Sequence, residues 1–407
     1  MASLAQRVSV PLGVTSRRPA VSPVALLGAL PVRPSQVSVG SRLAVKPVAP
    51  VRARQTLVTK ASAADAPKEL DALETTVSKV VGAKLAPTVV TLTFIAIWYA
   101  LNIGFNLLNK TIFKYFPYPY TVSTIHVVVG LIYCVLVYAV GLKSWSFGRP
   151  VTKQEFKNIF GPAAMHAIGH VAANISFAAV AISLTHTVKT LEPAFNVVLS
   201  KVILGEATPL PVLLSLVPIM FGVALASAGE LSFNWTGFLT AMASNLTFGF
   251  RAVWSKRAMT KSLDGTAVYA YTTLISVLIC VPWALFAEGG TLVEGAKAAI
   301  AKVGASRFYT DLFMVGMLYH LYNQFAFNTL ERVSPVSHGV CNVVKRVAII
   351  GSSVIFFNQT LTAQAMVGTV IALIGTWLYT EMSSKHKHKK APPPPAAPSG
   401  GASPAAA

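Results

Sequence analysis

The chain has 407 residues, 54% of them hydrophobic and only 12% charged, with a mean hydropathy of +0.59. A soluble domain would carry about a quarter charged residues, so the composition excludes an ordinary soluble protein and points to bilayer spans. The formal charge of +20 would suit nucleic acid in a soluble chain, but much of it lies in two tails, and no nucleic-acid partner is expected.

In chain order, residues 1–61 come first. They hold nine Lys or Arg, and the first acidic residue is Asp65. An acid-free leader rich in Arg, Ser, Ala and Val, with no secretory apolar core, has the make-up of an organelle transit peptide. Composition does not separate mitochondrion from plastid. Residues 62–87 form a polar connector. Ten apolar segments follow, at about 88–109, 121–142, 161–183, 186–204, 211–229, 235–256, 266–287, 309–330, 335–357 and 363–382. Each is near the roughly 20 residues a helix needs to cross hydrocarbon. Residues 384–407, basic in KHKHKK and then Pro/Ala-rich, are expected as a disordered tail on the positive side of the membrane. Cys134, Cys280 and Cys341 lie in apolar segments without paired or metal-type spacing and are expected as core residues.

Ten segments divide into two fives, and the fives echo each other. HVAANISF (His170–Phe177) in the third matches HLYNQFAF (His320–Phe327) in the eighth. THTV (Thr185–Val188) opens the fourth and SHGV (Ser337–Val340) the ninth, while GFNLLNK (to Lys110) and GFRAVWSK (to Lys256) end the first and sixth. Because five is odd, a duplicated half crosses in the opposite sense. The expected fold is therefore all-α and integral to the membrane: ten transmembrane helices in two inverted five-helix repeats, residues 88–229 and 235–383. Such folds put their site at the midplane, between the halves.

Charge inside the spans locates that site. Lys or Arg at a helix centre costs about 2.5–3.5 kcal/mol on insertion scales. Lys189 in the fourth segment and Lys345 and Arg346 in the ninth would together cost on the order of 8–10 kcal/mol facing lipid. They are therefore expected to line a polar cavity and to bind a dianion such as a phosphate ester, Arg as a planar fork and Lys as a point charge. Glu192, three residues after Lys189, is a candidate ion-pair partner for it, and Glu331 for Arg332. Lys110, Lys201, Arg251 and Lys256, nearer span ends, are read as snorkelling. His166 and His170 share a helix face, but no Asp, Glu or Cys completes a zinc set, so no metal site is expected. His170 reads as a polar lining residue, in line with Asn174. Tyr319 and Tyr322 have hydroxyls to offer the cavity or simply pack, and Phe177 and Phe248 either shape it or belong to the core. No phosphate-binding loop, serine nucleophile elbow or acidic metal cluster is present, so no enzyme and no cofactor is expected.

LNIGFNLLNKTIFKYFPYPYTVSTIH, GHVAANISFAAVAISLTHTVKTLEPAF, ELSFNWTGF and YHLYNQFAFNTLERVSPVSHGVCNVVKR resemble the plastid phosphate translocators of the drug/metabolite transporter superfamily, across about residues 85–383. SFAAVA and YHLYNQ with NTLERV are most similar to the triose-phosphate group. The resemblance implies an antiporter of the inner chloroplast envelope that exchanges inorganic phosphate for triose phosphates and 3-phosphoglycerate. It implies phosphate binding by Lys189, Lys345 and Arg346, and contact with the three-carbon portion by His170 and Tyr322, with Phe177 and Phe248 nearby. The family commonly has a hydroxyl three positions after the histidine, where this chain has Ala173. Competing readings are a translocator for phosphoenolpyruvate, pentose or hexose phosphates, a nucleotide-sugar carrier, an anion channel and, more remotely, a membrane-embedded enzyme on phosphorylated substrates.

Overall fold

The computed structural model describes residues 72–258, 265–333 and 335–390. The leader at 1–61 and the tail beyond 390 lie outside them. The described residues are helical, with no strand among them. The helices are α1 (Ala72–Val81), α2 (Ala86–Phe113), α3 (Pro119–Ala139), α4 (Lys153–Ala179), α5 (Ile182–Val188), α6 (Glu192–Leu204) and α7 (Leu210–Leu214). There follow α8 (Leu216–Gly229), α9 (Trp235–Ala258), α10 (Gly265–Val303), α11 (Ala305–Arg332), α12 (Pro335–Phe357) and α13 (Ala363–Lys390).

The breaks follow local chemistry. Pro193, second in α6, has no N–H for the Lys189 carbonyl. That carbonyl instead accepts from Glu192 N–H in a 3₁₀ turn, Lys189–Leu191, which splits the fourth apolar segment. Pro218 likewise withholds the bond to Leu214, and the fifth segment breaks between α7 and α8. Thr152 and Glu155 cap α4 reciprocally, at 3.2 and 2.8 Å. Gly205, at φ 67°, closes α6 in the left-handed region that glycine tolerates best.

Three stretches carry helix that the sequence did not single out. The polar connector contains a helix, α1, held by Glu74 to Arg332 at 3.1 Å. The basic tail is helical as far as Lys390, supported by a Glu381–Lys385 pair one turn apart at 3.2 Å. The seventh segment does not end near 287, for α10 continues to Val303. Beyond 287 it lays Leu292, Ala296, Ala299, Ile300 and Val303 on one stripe against the cluster of Phe116 and Phe308.

Among the described residues, six helical stretches are long and apolar enough to cross a membrane: Ala86–Phe113, Pro119–Ala139, Leu210–Gly229, Gly265–Val303, Ser337–Phe357 and Ala363–His386. The other four apolar segments coincide with α4, α5–α6, α9 and α11. These are broken or less apolar because they carry buried polar groups such as His166, His170, Asn174, Asn245 and His320. The outward faces are apolar, with Phe286 87% and Ile355 82% exposed. A water-facing surface would not keep so many large hydrophobics together.

α4 packs on α9 and α2 on α11; α3 packs on α10, α5 on α12 and α8 on α13. Each pairing has its counterpart when the stretches 86–229 and 235–390 are exchanged. α8 and α13 approach backbone to backbone. A Cβ on Gly222 would lie 2.4 Å from the Ala372 nitrogen, and one on Gly368 2.3 Å from the Ala226 nitrogen. Gly222-x₃-Ala226 facing Gly368-x₃-Ala372 is the small-residue packing that lets membrane helices touch backbone to backbone.

Candidate functional site

A cavity of about 500 Å³ lies among α2, α4, α5–α6, α9, α11, α12 and α13. All seven residues expected at the site (Lys189, Lys345, Arg346, His170, Tyr322, Phe177 and Phe248) border it.

The three expected cations reach it from two elements, the 3₁₀ turn and α12. Lys189 stands on the 3₁₀ turn, donates to Ser244 Oγ of α9 at 2.9 Å and lies 4.5 Å from the Phe248 ring centre. Lys345 of α12 lies 4.7 Å from the ring of Trp98 of α2. Arg346 Nη2 donates to Glu192 Oε2 at 3.2 Å. Aromatic faces hold a cation without neutralising it, and among the described residues no carboxylate lies within ion-pair distance of Lys189 or Lys345. Glu192 is thus paired with Arg346 across the halves rather than with Lys189.

A fourth cation joins them. Arg251 does not snorkel to a span end. It borders the cavity, its Nη1 donates to His166 Nδ1 at 3.1 Å, and its guanidinium lies 4.9 Å from the Phe248 ring centre. Its signal in the sequence was the repeat: Arg251 takes the place in GFRAVWSK that Asn106 takes in GFNLLNK, and both border the cavity. Lys110 does not snorkel either. Its Nζ donates to the Phe177 and Val180 carbonyls at 2.7 and 2.8 Å, satisfying the last turn of α4. Lys201 is exposed. The side chains of Lys256 and Glu331 lie outside the described residues.

Among the described lining residues Glu192 is the one carboxylate against Lys189, Arg251, Lys345 and Arg346. The cavity therefore holds a formal excess of three positive charges.

Hydrogen bonds fix much of the neutral polar lining. His166 accepts from Arg251 at Nδ1, so Nε2 is its donor, 3.0 Å from Tyr319 Oη. Asn106 Nδ2 is committed to Asn102, so its Oδ1 accepts from His186 Nε2 at 2.9 Å. His186 and His338, the histidines of the THTV and SHGV echoes, both border the cavity, and His338 stacks on Trp98 at 5.0 Å. Tyr322 packs against Phe105 and Tyr319 at 5.1 and 5.6 Å, and Phe177 lies 5.5 Å from His186. His166 and His170 stand parallel at 6.5 Å, and no group of three or more metal-type ligands occurs among the described residues. Trp98, His186 and His338 were not singled out as site residues by the sequence, because single aromatic or imidazole rings in apolar segments carry no spacing signal.

Comparisons with known proteins find relatives along most of the chain. Residues 89–380 match the model of the Triose-phosphate Transporter family. The chain is 49% identical over 305 residues to the chloroplastic triose phosphate/phosphate translocator of Spinacia oleracea, covering 75% of this chain and 74% of that one. It is 50% identical, with the same coverage, to the translocator of that name from Brassica oleracea var. botrytis. It is 41% identical over 291 residues to glucose-6-phosphate/phosphate translocator 1, chloroplastic, of Arabidopsis thaliana, covering 71% of this chain and 74% of that one. The chain belongs to the Triose-phosphate Transporter family.

Proposed function

We propose that the protein is a multi-pass antiporter of the inner chloroplast envelope that exchanges inorganic phosphate for triose phosphates and 3-phosphoglycerate, and that it is not an enzyme. The observation that carries this is the cavity itself. Four cations delivered by α5–α6, α9 and α12 face one carboxylate, a balance suited to a dianion. Phosphate and phosphate monoesters are dianions at neutral pH, and Lys and Arg together suit their oxygens.

Lys189, Lys345 and Arg346 bind the phosphate in this reading. His170 and Tyr322 meet the three-carbon portion, with Arg251 beside them and Phe177 and Phe248 shaping the pocket. The higher identity to the triose-phosphate translocators than to the glucose-6-phosphate one favours three-carbon substrates. Two inverted five-helix repeats, together ten spans, fit the paired helix contacts and the sequence echoes, and alternating access by rocking of the repeats follows from that architecture.

The test is uptake of labelled phosphate into proteoliposomes preloaded with single phosphorylated metabolites. Triose phosphate and 3-phosphoglycerate should drive uptake as well as phosphate does, and glucose 6-phosphate poorly. Preferential exchange with glucose 6-phosphate or phosphoenolpyruvate would reassign the substrate. A fusion of residues 1–61 to a fluorescent reporter should enter plastids, and mitochondrial delivery would overturn the location.

A further inference from the structure

Asn174 follows His170 by one turn of α4 and is buried at 1% exposure. Its Oδ1 accepts from Asn109 Nδ2 of α2 at 2.7 Å. The amide nitrogen that remains donates to Ser123 Oγ of α3 at 2.8 Å and faces His170 Nε2 at 3.2 Å. Ser123 is held in the accepting role, since its own hydroxyl donates to the Pro119 carbonyl at 2.6 Å. An amide nitrogen only donates, so His170 Nε2 presents its lone pair, and His126 Nδ1, also 3.2 Å from it, donates as well.

In this arrangement the buried atoms without a partner are Asn109 Oδ1 and His126 Nε2, both acceptors. Turning the amides over would strand hydrogen-bond donors in their place, and orphaned buried N–H groups are the rarer defect. The proton of the neutral His170 ring therefore sits on Nδ1. That nitrogen has no partner among the described residues and is not enclosed by protein, on a ring that borders the cavity.

We propose that Asn174 is a positioning residue for substrate selectivity. By donating to His170 Nε2 it holds the His170 proton on Nδ1, where it meets an oxygen on the carbon chain of a phosphate ester. The carbonyl of a ketotriose phosphate and the carboxylate of a phosphoglycerate both accept such a proton. Inorganic phosphate, seated on the cations, has no oxygen to reach it. Asn109 anchors the amide, so selectivity depends on a chain that runs from α2 through α4 to the ligand. This rests on the reading of the protein as an exchanger of phosphate for three-carbon phosphates.

The test measures, in proteoliposomes of the full protein, KM for dihydroxyacetone phosphate and for phosphate. Asn174→Asp accepts where Asn donates and should force the His170 proton onto Nε2. Asn174→Leu removes the donor without adding charge. The ratio of the two KM values should rise about tenfold in the Asp variant, the worth of one hydrogen bond near a charged group, and less in the Leu variant. In a His170→Gln background neither substitution should move the ratio, because a glutamine amide turns to donate regardless of its neighbour. An unchanged ratio in both variants, or an equal rise in the His170→Gln background, would overturn the proposal.

Nitrogen-15 NMR of histidine-labelled wild type in nanodiscs reads the tautomer without any folding risk at position 174. The signal pair lost in His170→Gln should show a lone pair on Nε2, and a lone pair on Nδ1 would overturn the proposal. Absence of triose-phosphate exchange in the wild type would instead remove the functional reading, and the tautomer would still be decided by the spectrum.

Discussion

Arg346 and Glu192 meet at 3.2 Å, one from each half of the chain, and neither side chain is more than about a quarter exposed, at 15% and 26%. Removing one member of such a pair strands the other, and the stranded charge costs more than the lost attraction. Ala at Lys189, Lys345 or Arg346 is each expected to reduce phosphate exchange by at least about tenfold, since a hydrogen bond to a charged group contributes about 1.5–3 kcal/mol. Arg346→Ala should be the most damaging of the three, because it also leaves the Glu192 carboxylate facing the incoming anion. It follows that Arg346→Ala/Glu192→Gln should exchange faster than Arg346→Ala alone, in labelled-phosphate uptake with protein amounts matched. A double variant no better than the single would show that Glu192 does not act through Arg346. The three cations were legible in the sequence because their insertion cost singles them out wherever they point. Arg251 and Lys110 were not, because distance from a span end does not say which way a side chain faces. Arg251 turns inward to His166, and Lys110 reaches across to the open carbonyls of α4.

At the scale of elements, the interruptions matter as much as the helices. Lys189 occupies the break between α5 and α6 that Pro193 enforces, so the cation sits where the backbone leaves α-helical geometry. Irregular backbone at membrane depth is tolerated where it lines a cavity. The α8–α13 pair shows the opposite case, two helices whose purpose is contact. A methyl at Gly368 would lie 2.3 Å from the Ala226 nitrogen and 2.7 Å from the Gly222 carbonyl. These are backbone atoms, so the helices themselves must part. Gly368→Leu is expected to cost at least the ~1–3 kcal/mol typical of overpacking. That should appear as a lower unfolding midpoint of the detergent-solubilised protein, whereas Leu at Gly290, where an added Cβ meets nothing within 4 Å, should leave the midpoint near the wild type. Equal midpoints for the two would show that α8 and α13 tolerate separation. The all-helical, membrane-type character was readable because burial in protein and burial in lipid both select apolar side chains. The ends of α10 and α13 were not, because an amphipathic or charged extension looks like a loop until its packing surface is known.

Over the whole molecule, the cavity borders the later parts of α9, α11 and α13 and the earlier part of α12, the ends nearest the start of α2 and the close of α13. The other ends are held together. Lys110 ties α2 to α4, the Glu288 carboxylate accepts from the Tyr120 and Thr121 N–H groups at the start of α3 at 3.2 and 2.7 Å, and Tyr118 donates to the Thr291 carbonyl at 3.1 Å. Exposing the site on that side requires these contacts to open while the cavity end closes. Without an anion, closure would confine Lys189, Arg251, Lys345 and Arg346 with only Glu192 to offset them. Their mutual repulsion and lost hydration raise that step by several kcal/mol even where trapped water screens them. A penalty of about 4 kcal/mol would slow the empty return roughly a thousandfold. A bound dianion cancels most of the excess, so the loaded form crosses readily. Exchange should therefore be tightly coupled, with counter-substrate required on the far side. The measurement compares initial labelled-phosphate uptake into vesicles loaded with phosphate and into vesicles loaded with chloride alone, and the first should exceed the second by at least a hundredfold. Comparable rates would mean that the empty cavity closes or conducts freely, and the four cations would then line an anion channel.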